Sequence, residues 1–204
     1  MLDFMNSTEH RSNRGHAGAC IALFLVLSCL LFSLDGCGVR PKYYTRPDAG
    51  AGKIRKIAVL PIENFTSDGL AAERIRKLVI AEILTKGVDV VEPGEVSSVL
   101  IDMKIKSLNS LSIKDIREMS KTLGVEVLML GSVEAYGISN GISTTYPEVS
   151  IHLTLLDGAT GNVIWSAWNT SEGPSFWTRH FGSEGPTLSE TARKVVRNAL
   201  NTLL

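Results

Sequence analysis

The stretch Ile57-Ala58-Val59-Leu60-Pro61-Ile62-Glu63 decides the fold. Both alternating positions carry apolar side chains, so a strand here must be covered on both faces. That is the pattern of a central strand in a helix-flanked sheet. Pro61 has no N–H to give to a ladder and ends the strand. Glu63 to Gly69 then reads as a polar loop. Ala71 to Lys86 follows as a helix with Ile75, Leu78, Val79 and Ile83 on one stripe, stopped by Gly87. Val88 to Val91 is a second short strand, and the helical crossover before it makes the two strands parallel.

Pro93 starts a helix that runs through Met103, with Val96, Val99 and Leu100 inward. Ser112 caps the next helix, Asp115 standing three positions on, and Gly124 ends it. Val125 to Tyr136 is apolar on both faces as far as Glu134 and belongs at the centre of the sheet. Glu148 to Asp157 alternates, with Val149, Ile151, Leu153 and Leu155 on one face and Ser150, His152 and Thr154 on the other. Asp157-Gly158-Ala159-Thr160-Gly161 turns the chain into a partner strand, Asn162 to Asn169. A last amphipathic helix spans Leu188 to Leu203. The order β-α-β-α-α-β-β-β-α predicts an α/β fold, a single mixed sheet with helices packed on it.

The amino terminus is of another kind. Arg11 and Arg14 precede an uncharged run, Ala19 to Leu34, which ends in Leu34-Asp35-Gly36-Cys37. This is the layout of a lipoprotein signal with its cleavage site, a small residue (Gly36) before the cut and a thiol (Cys37) after it. The thiol takes a diacylglyceryl group and the new amino terminus a further acyl chain, and two chains give stable anchoring. An uncleaved membrane anchor and a buried core helix are the other readings. The 16-residue run is short for the first, which wants about 20 residues, and lacks a helical stripe for the second. The expected organisation is a signal over 1–36, a lipidated flexible tether over 37–52 and a domain over 53–204. Met1 and Met5 are both candidate starts.

Removing the first 36 of 204 residues leaves 168, enough for one domain with a sizeable core. Two of the 21 basic and three of the 21 acidic residues leave with the signal, so the mature charge is about +1. Nothing in that balance points to nucleic acid. Cys20 and Cys29 leave as well and Cys37 is lipidated, so the domain retains no thiol for a disulfide, a metal or a nucleophile. His152 and His180 have no metal-ligand spacing, and no metal, other cofactor or small-molecule substrate is expected. Gly137 to Gly141 follows a strand without opening a helix, so it is not read as a phosphate loop. Glu63 and Asp68 read as solvated loop carboxylates, and Glu134 as a salt-bridging or edge-protecting group. No catalytic residue is expected.

The strongest surface candidate is aromatic. Phe176, Trp177 and Phe181 fall in a Gly- and Pro-rich loop, with Arg179 and His180 as a polar rim. The loop reads as a docking patch for an envelope protein or a second copy of the chain. Trp165 and Trp168, on opposite faces of one strand, read as core or cover.

Three stretches resemble a group of bacterial envelope proteins. Ile57 to Thr66 is similar to that group's "AVLPFENxT" opening, Gly124 to Val133 to its "ADxxxxGxV" strand, and Leu156 to Trp165 to its "LVDxxTGEVxW" hairpin. The group includes the curli-secretion-channel lipoprotein, the lipoprotein activator of penicillin-binding proteins and the N-terminal domain of the Tol-system β-propeller protein. The resemblance implies an anticodon-binding-like α/β sandwich and a non-enzymatic accessory or assembly role at the outer membrane, facing the periplasm. It leaves open an activator of a peptidoglycan synthase and a subunit of a secretion assembly. The chain departs from the channel members at Gly137 to Tyr146, ten residues that hold no pair of membrane-spanning strands of about 9–11 residues each. It departs from the activators in a tether, Gly38 to Gly52, that reaches about 50 Å at most.

Overall fold

The computed structural model describes residues 41–47, 54–141, 145–171, 173 and 185–203. One seven-stranded mixed sheet organises them. Its strands are β1 (Lys42–Thr45), β2 (Lys56–Val59), β3 (Glu63–Asn64), β4 (Asp89–Val90), β5 (Val127–Asn140), β6 (Thr145–Asp157) and β7 (Val163–Thr170). Four helices accompany it: α1 (Ala71–Thr85), α2 (Pro93–Asp102), α3 (Ile113–Leu123) and α4 (Leu188–Leu200). The order across the sheet is β1-β7-β6-β5-β2-β4, with β3 also on β5. The expected α/β class, the central place of the 125–136 strand, the parallel first pair and the antiparallel last pair are all present.

Pro61 divides the decisive stretch as its missing N–H requires. Leu60 still donates to Met129 O at 2.9 Å, and the chain resumes one step later as β3, so both pieces pair with β5. The buried Arg76 donates twice to Val59 O, at 2.7 and 3.2 Å, at the point where the strand breaks. Burial pushes its pKa down.

Alternate side chains of β2 and β5 enter two separate cores. Ile57, Val59, Val127 and Met129, with Ile151, Leu153, Leu155 and Trp165 from β6 and β7, meet α1 and α4. Ala58, Leu60, Leu128 and Leu156 meet α2 and α3 on the other face. The second core is smaller and ends at β5 and the last residues of β6. Helices α3 and α4 begin with full capping boxes, Ser112 with Asp115 and Thr187 with Glu190. The hydrogen bonds from Ser112 and Thr187 hold both carboxyls below the usual carboxylate range. Gly124 closes α3 in the left-handed region, φ 62°, which only a residue without Cβ adopts freely.

Two findings differ from the sequence expectation. Residues 42–45 lie in the expected flexible tether, yet they form β1 and pair antiparallel with β7, from Lys42 opposite Trp168 to Thr45 opposite Trp165. Four edge residues exposed along their whole length carry no burial pattern to read. The expected Gly137 to Tyr146 connection is also largely strand. β5 and β6 continue to pair through Ile138 with Pro147 and on to Asn140 with Thr145. Backbone pairing, joined by the hydrogen bond from Ser139 Oγ to the Glu148 carboxylate, holds this ribbon together, and a Gly-, Ser- and Asn-rich sequence gives no sign of it.

Candidate interaction surface

The pairing registers define one end of the sheet. β5 rises to it, β6 descends from it, β7 rises to it and β1 descends from it. The start of β1, the β5–β6 ribbon, and the residue after β7, Ser171, therefore gather there. Ser171 is fixed by its N–H to Val149 O at 2.8 Å and by the Val149 N–H to its own Oγ at 3.0 Å. α4 starts at this end too. Asn169 Nδ2 donates to Val195 O at 2.6 Å midway along it, and Trp165 Nε1 donates to Thr202 Oγ1 at 3.1 Å near its far end. Both ends of the 174–184 stretch are thus pinned at the same end of the domain. Phe176, Trp177, Arg179, His180 and Phe181 themselves lie outside the described residues, as do Leu34, Gly36 and Cys37.

The second feature is the part of the sheet that α2 and α3 do not reach. Cross-strand rows set Lys42, Trp168, His152 and Ser132 side by side, and Tyr44, Ser166, Thr154 and Leu130 beside them. Trp168 is 51% exposed and stacks on His152, ring centroids 5.6 Å apart at 26°. Its Nε1 donates to Ser150 Oγ at 3.2 Å. His152 Nε2 shares a 2.8 Å bond with Ser166 Oγ. Ser150 in turn bonds Thr170 Oγ1 at 2.8 Å. A large aromatic ring thus stands on an open face, held in one orientation by hydrogen-bonded neighbours. His152 sits beside Ser150 and Thr154 as its strand alternation predicts. Trp165 is fully buried, as a core reading of it requires. The exposure of Trp168 follows from strand parity, but the lack of a covering helix does not.

The remaining sequence candidates resolve into structural roles. Asp68 accepts from Arg74 at 2.8 Å and from the Leu70 N–H at 2.8 Å, which organises the entry to α1. Arg74 also lies over the Tyr136 ring, 5.9 Å from its centroid. Glu134 falls where the β5–β6 register shifts, between Val133 and Ala135, and accepts from Ser132 Oγ at 2.6 Å. Gly137-Ile138-Ser139-Asn140-Gly141 spells Gly-x-Ser-x-Gly, so the expectation that no hydrolase-type motif occurs in the chain is wrong at the level of sequence. A nucleophile elbow needs that serine on a strand-to-helix turn beside a histidine. Here it lies in a hairpin, and Ser139 Oγ donates to the Glu148 carboxylate.

An open depression of about 440 Å³ lies at the opposite end of the sheet, lined by residues that include Arg117, Lys121, Glu126 and Gly158. Glu126 is held there by the Lys56 N–H at 2.9 Å, which keeps its pKa low. Its one carboxylate is committed to that N–H and to Arg55 at 3.4 Å. Among the described residues there is no cluster that could hold a metal ion, and no helix long and apolar enough to cross a membrane.

No protein-family model matches the chain, and no curated protein matches it in sequence. Solved structures do match its fold. The PelC dodecamer from Paraburkholderia phytofirmans is 22% identical, over 80% of this chain and 96% of that one, at a TM-score of 0.55. Lipoprotein GNA1162 from Neisseria meningitidis is 18% identical, over 72% of this chain and 99% of that one, at a TM-score of 0.53. The C-terminal domain of LpoB from Escherichia coli aligns over 69% of this chain at 15% identity and a TM-score of 0.42, too distant to carry an argument. This chain therefore has the fold of a set of solved structures that includes a bacterial lipoprotein, and the resemblance read from its three motifs holds at the level of fold.

Proposed function

We propose that this chain is a lipid-anchored protein of the bacterial envelope that acts without catalysis, by binding a protein partner. Removal of residues 1–36 and acylation of Cys37 would place it on the outer membrane facing the periplasm. Gly38 after the cysteine favours outer-membrane sorting by resemblance to the enterobacterial rule. The fold it shares with a neisserial lipoprotein supports the envelope assignment. The observation that carries the binding role is Trp168, a half-exposed tryptophan fixed by Ser150 and His152 on a sheet face that no described helix covers. Rigid aromatics of this kind anchor protein interfaces.

The test is capture from crosslinked membranes, comparing the wild type with Trp168→Ala and with Phe176→Ala/Trp177→Ala. An envelope protein lost in either variant supports the reading and assigns the surface. A partner recovered equally in all three would overturn both surfaces.

A second reading, a subunit of a self-assembled ring, is favoured by one likeness, to the PelC dodecamer. A monomer on sizing of the detergent-extracted lipoprotein would sink it. Activation of a peptidoglycan synthase across the wall is less well supported. With β1 docked, the chain between Cys37 and Lys42 is only five residue steps, about 17 Å at full stretch.

A further inference from the structure

We infer that the tip of the β5–β6 ribbon rests in the lipid surface that holds the acylated Cys37. This deepens the proposed function and rests on lipidation of Cys37.

Lys42, Trp168, His152 and Ser132 form one row across the sheet. β1 begins at the end of the sheet toward which β5 runs on from Ser132, because β1 is antiparallel to β7, β7 to β6 and β6 to β5. The anchor is at most about 17 Å beyond the row. Ile138 is six residues beyond it on β5, one of them in the bulge, which at about 3.3 Å per residue places it about 17–20 Å out. Asn140 and Thr145 lie farther still. With the strands upright on the membrane, the linker is too short to lift the ribbon tip clear of the surface that holds the cysteine.

The tip has the side chains for that place. Ile138 is 61% exposed and faces no core. Its cross-strand partner is Pro147, and Tyr146 is paired with Ser139 beside it. An aliphatic residue with a tyrosine at its flank suits the boundary between headgroups and acyl chains. No Lys or Arg lies between Ala135 and Ser150, so the contact draws on apolar burial rather than on anionic lipid, and added salt should not release it. The contact is shallow. Seven residues of β5 extend past Val133, about 23 Å, against the roughly 30 Å of a hydrocarbon core.

Lipidated protein with Ile138→Cys, Asn140→Cys or, at the far end of α1, Leu84→Cys would be labelled with an environment-sensitive fluorophore. Cys20 and Cys29 leave with the signal and Cys37 is acylated, so the introduced thiol is the only reactive one. The labelled proteins are reconstituted into neutral phosphatidylcholine vesicles carrying a quencher on the acyl chain. We expect quenching at 138 or 140 several-fold greater than at 84, unchanged by added salt. Flotation with the vesicles but equal quenching at both ends overturns this inference and leaves the anchor intact. A blue-shifted but unquenched probe at the tip means that protein covers it, and overturns the inference as well. Failure to float, or to take up labelled fatty acid, overturns the lipoprotein reading and this one with it.

Discussion

Trp165 and Trp168 stand three residues apart on β7 and meet opposite surroundings. Trp165 faces α4 and is fully buried, whereas Trp168 faces away from every described helix and keeps half its surface. The same contrast extends over β6 and β7. The α1/α4 face of β6 and β7 is filled by Ile151, Leu153, Leu155 and Ala167, while the other carries Ser150, His152, Thr154 and Ser166. One face specifies the fold. The other is free to specify what the fold meets.

The sharpest test of this division is the pair of tryptophans. Trp165→Ala should cost about 3–5 kcal/mol in urea unfolding, from lost burial and the cavity left behind. Trp168→Ala should cost about 1 kcal/mol or less, its one hydrogen bond to Ser150 being partly exposed. Equal losses would mean that the open face is as structural as the closed one.

The next pair is Asn169 and Thr170. Asn169 is 3% exposed and ties β7 to α4 through Val195 O, so Asn169→Ala should cost about 1–3 kcal/mol. Thr170→Ala, on the open face, should stay within about 0.5 kcal/mol. Of comparable size is Gly158→Ala. A Cβ there would come within 2.5 Å of Ser120 Oγ and 2.9 Å of Glu126 O, so the Asp157 turn must move off α3, at about 1–3 kcal/mol by thermal melting. Full stability in Gly158→Ala would show that the small core under α3 is loose.

The smallest effect is acid sensitivity at the helix starts. Asp115 and Glu190 have lowered folded pKa values, so their caps contribute fully above the ordinary carboxylate range and are lost as pH falls through the depressed values. Amide exchange of the first turns of α3 and α4 should quicken over that acid window. Ser112→Ala and Thr187→Ala should remove the dependence, each in its own helix. Unchanged profiles in both would show that packing on the two faces holds those turns without their caps.

The layered architecture was legible because its causes are local. Unbroken apolar runs gave the central strands, Pro61 gave the break, and Ser112 with Asp115 gave the start of α3. β1 was not legible because it is held by backbone pairing to the distant β7, and the outer ribbon was not because its two arms pair without an alternating apolar pattern. Residues such as Tyr43 and Gly137 carry no sign of that pairing. Half of the surface was foreseeable. Strand parity sends the Trp168 side chain away from Trp165, but the positions of α2 and α3, which leave it uncovered, are a tertiary fact. The aromatic loop from Phe176 to Phe181 lies outside the described residues, and its assignment as a docking patch stays with the capture experiment.

The docking of β1 also has a consequence for biogenesis. Its partner β7 is the last strand of the sheet to be made, and a pairing so distant in sequence forms late. If Cys37 is acylated as proposed, no strand pairing yet holds the chain between it and β2 while β7 is still to be made. On that proposal, pairing of β1 with the completed β7 shortens the free chain to the five residue steps from Cys37 to Lys42, so the protein's own last strand sets how far the domain can stand from its anchor.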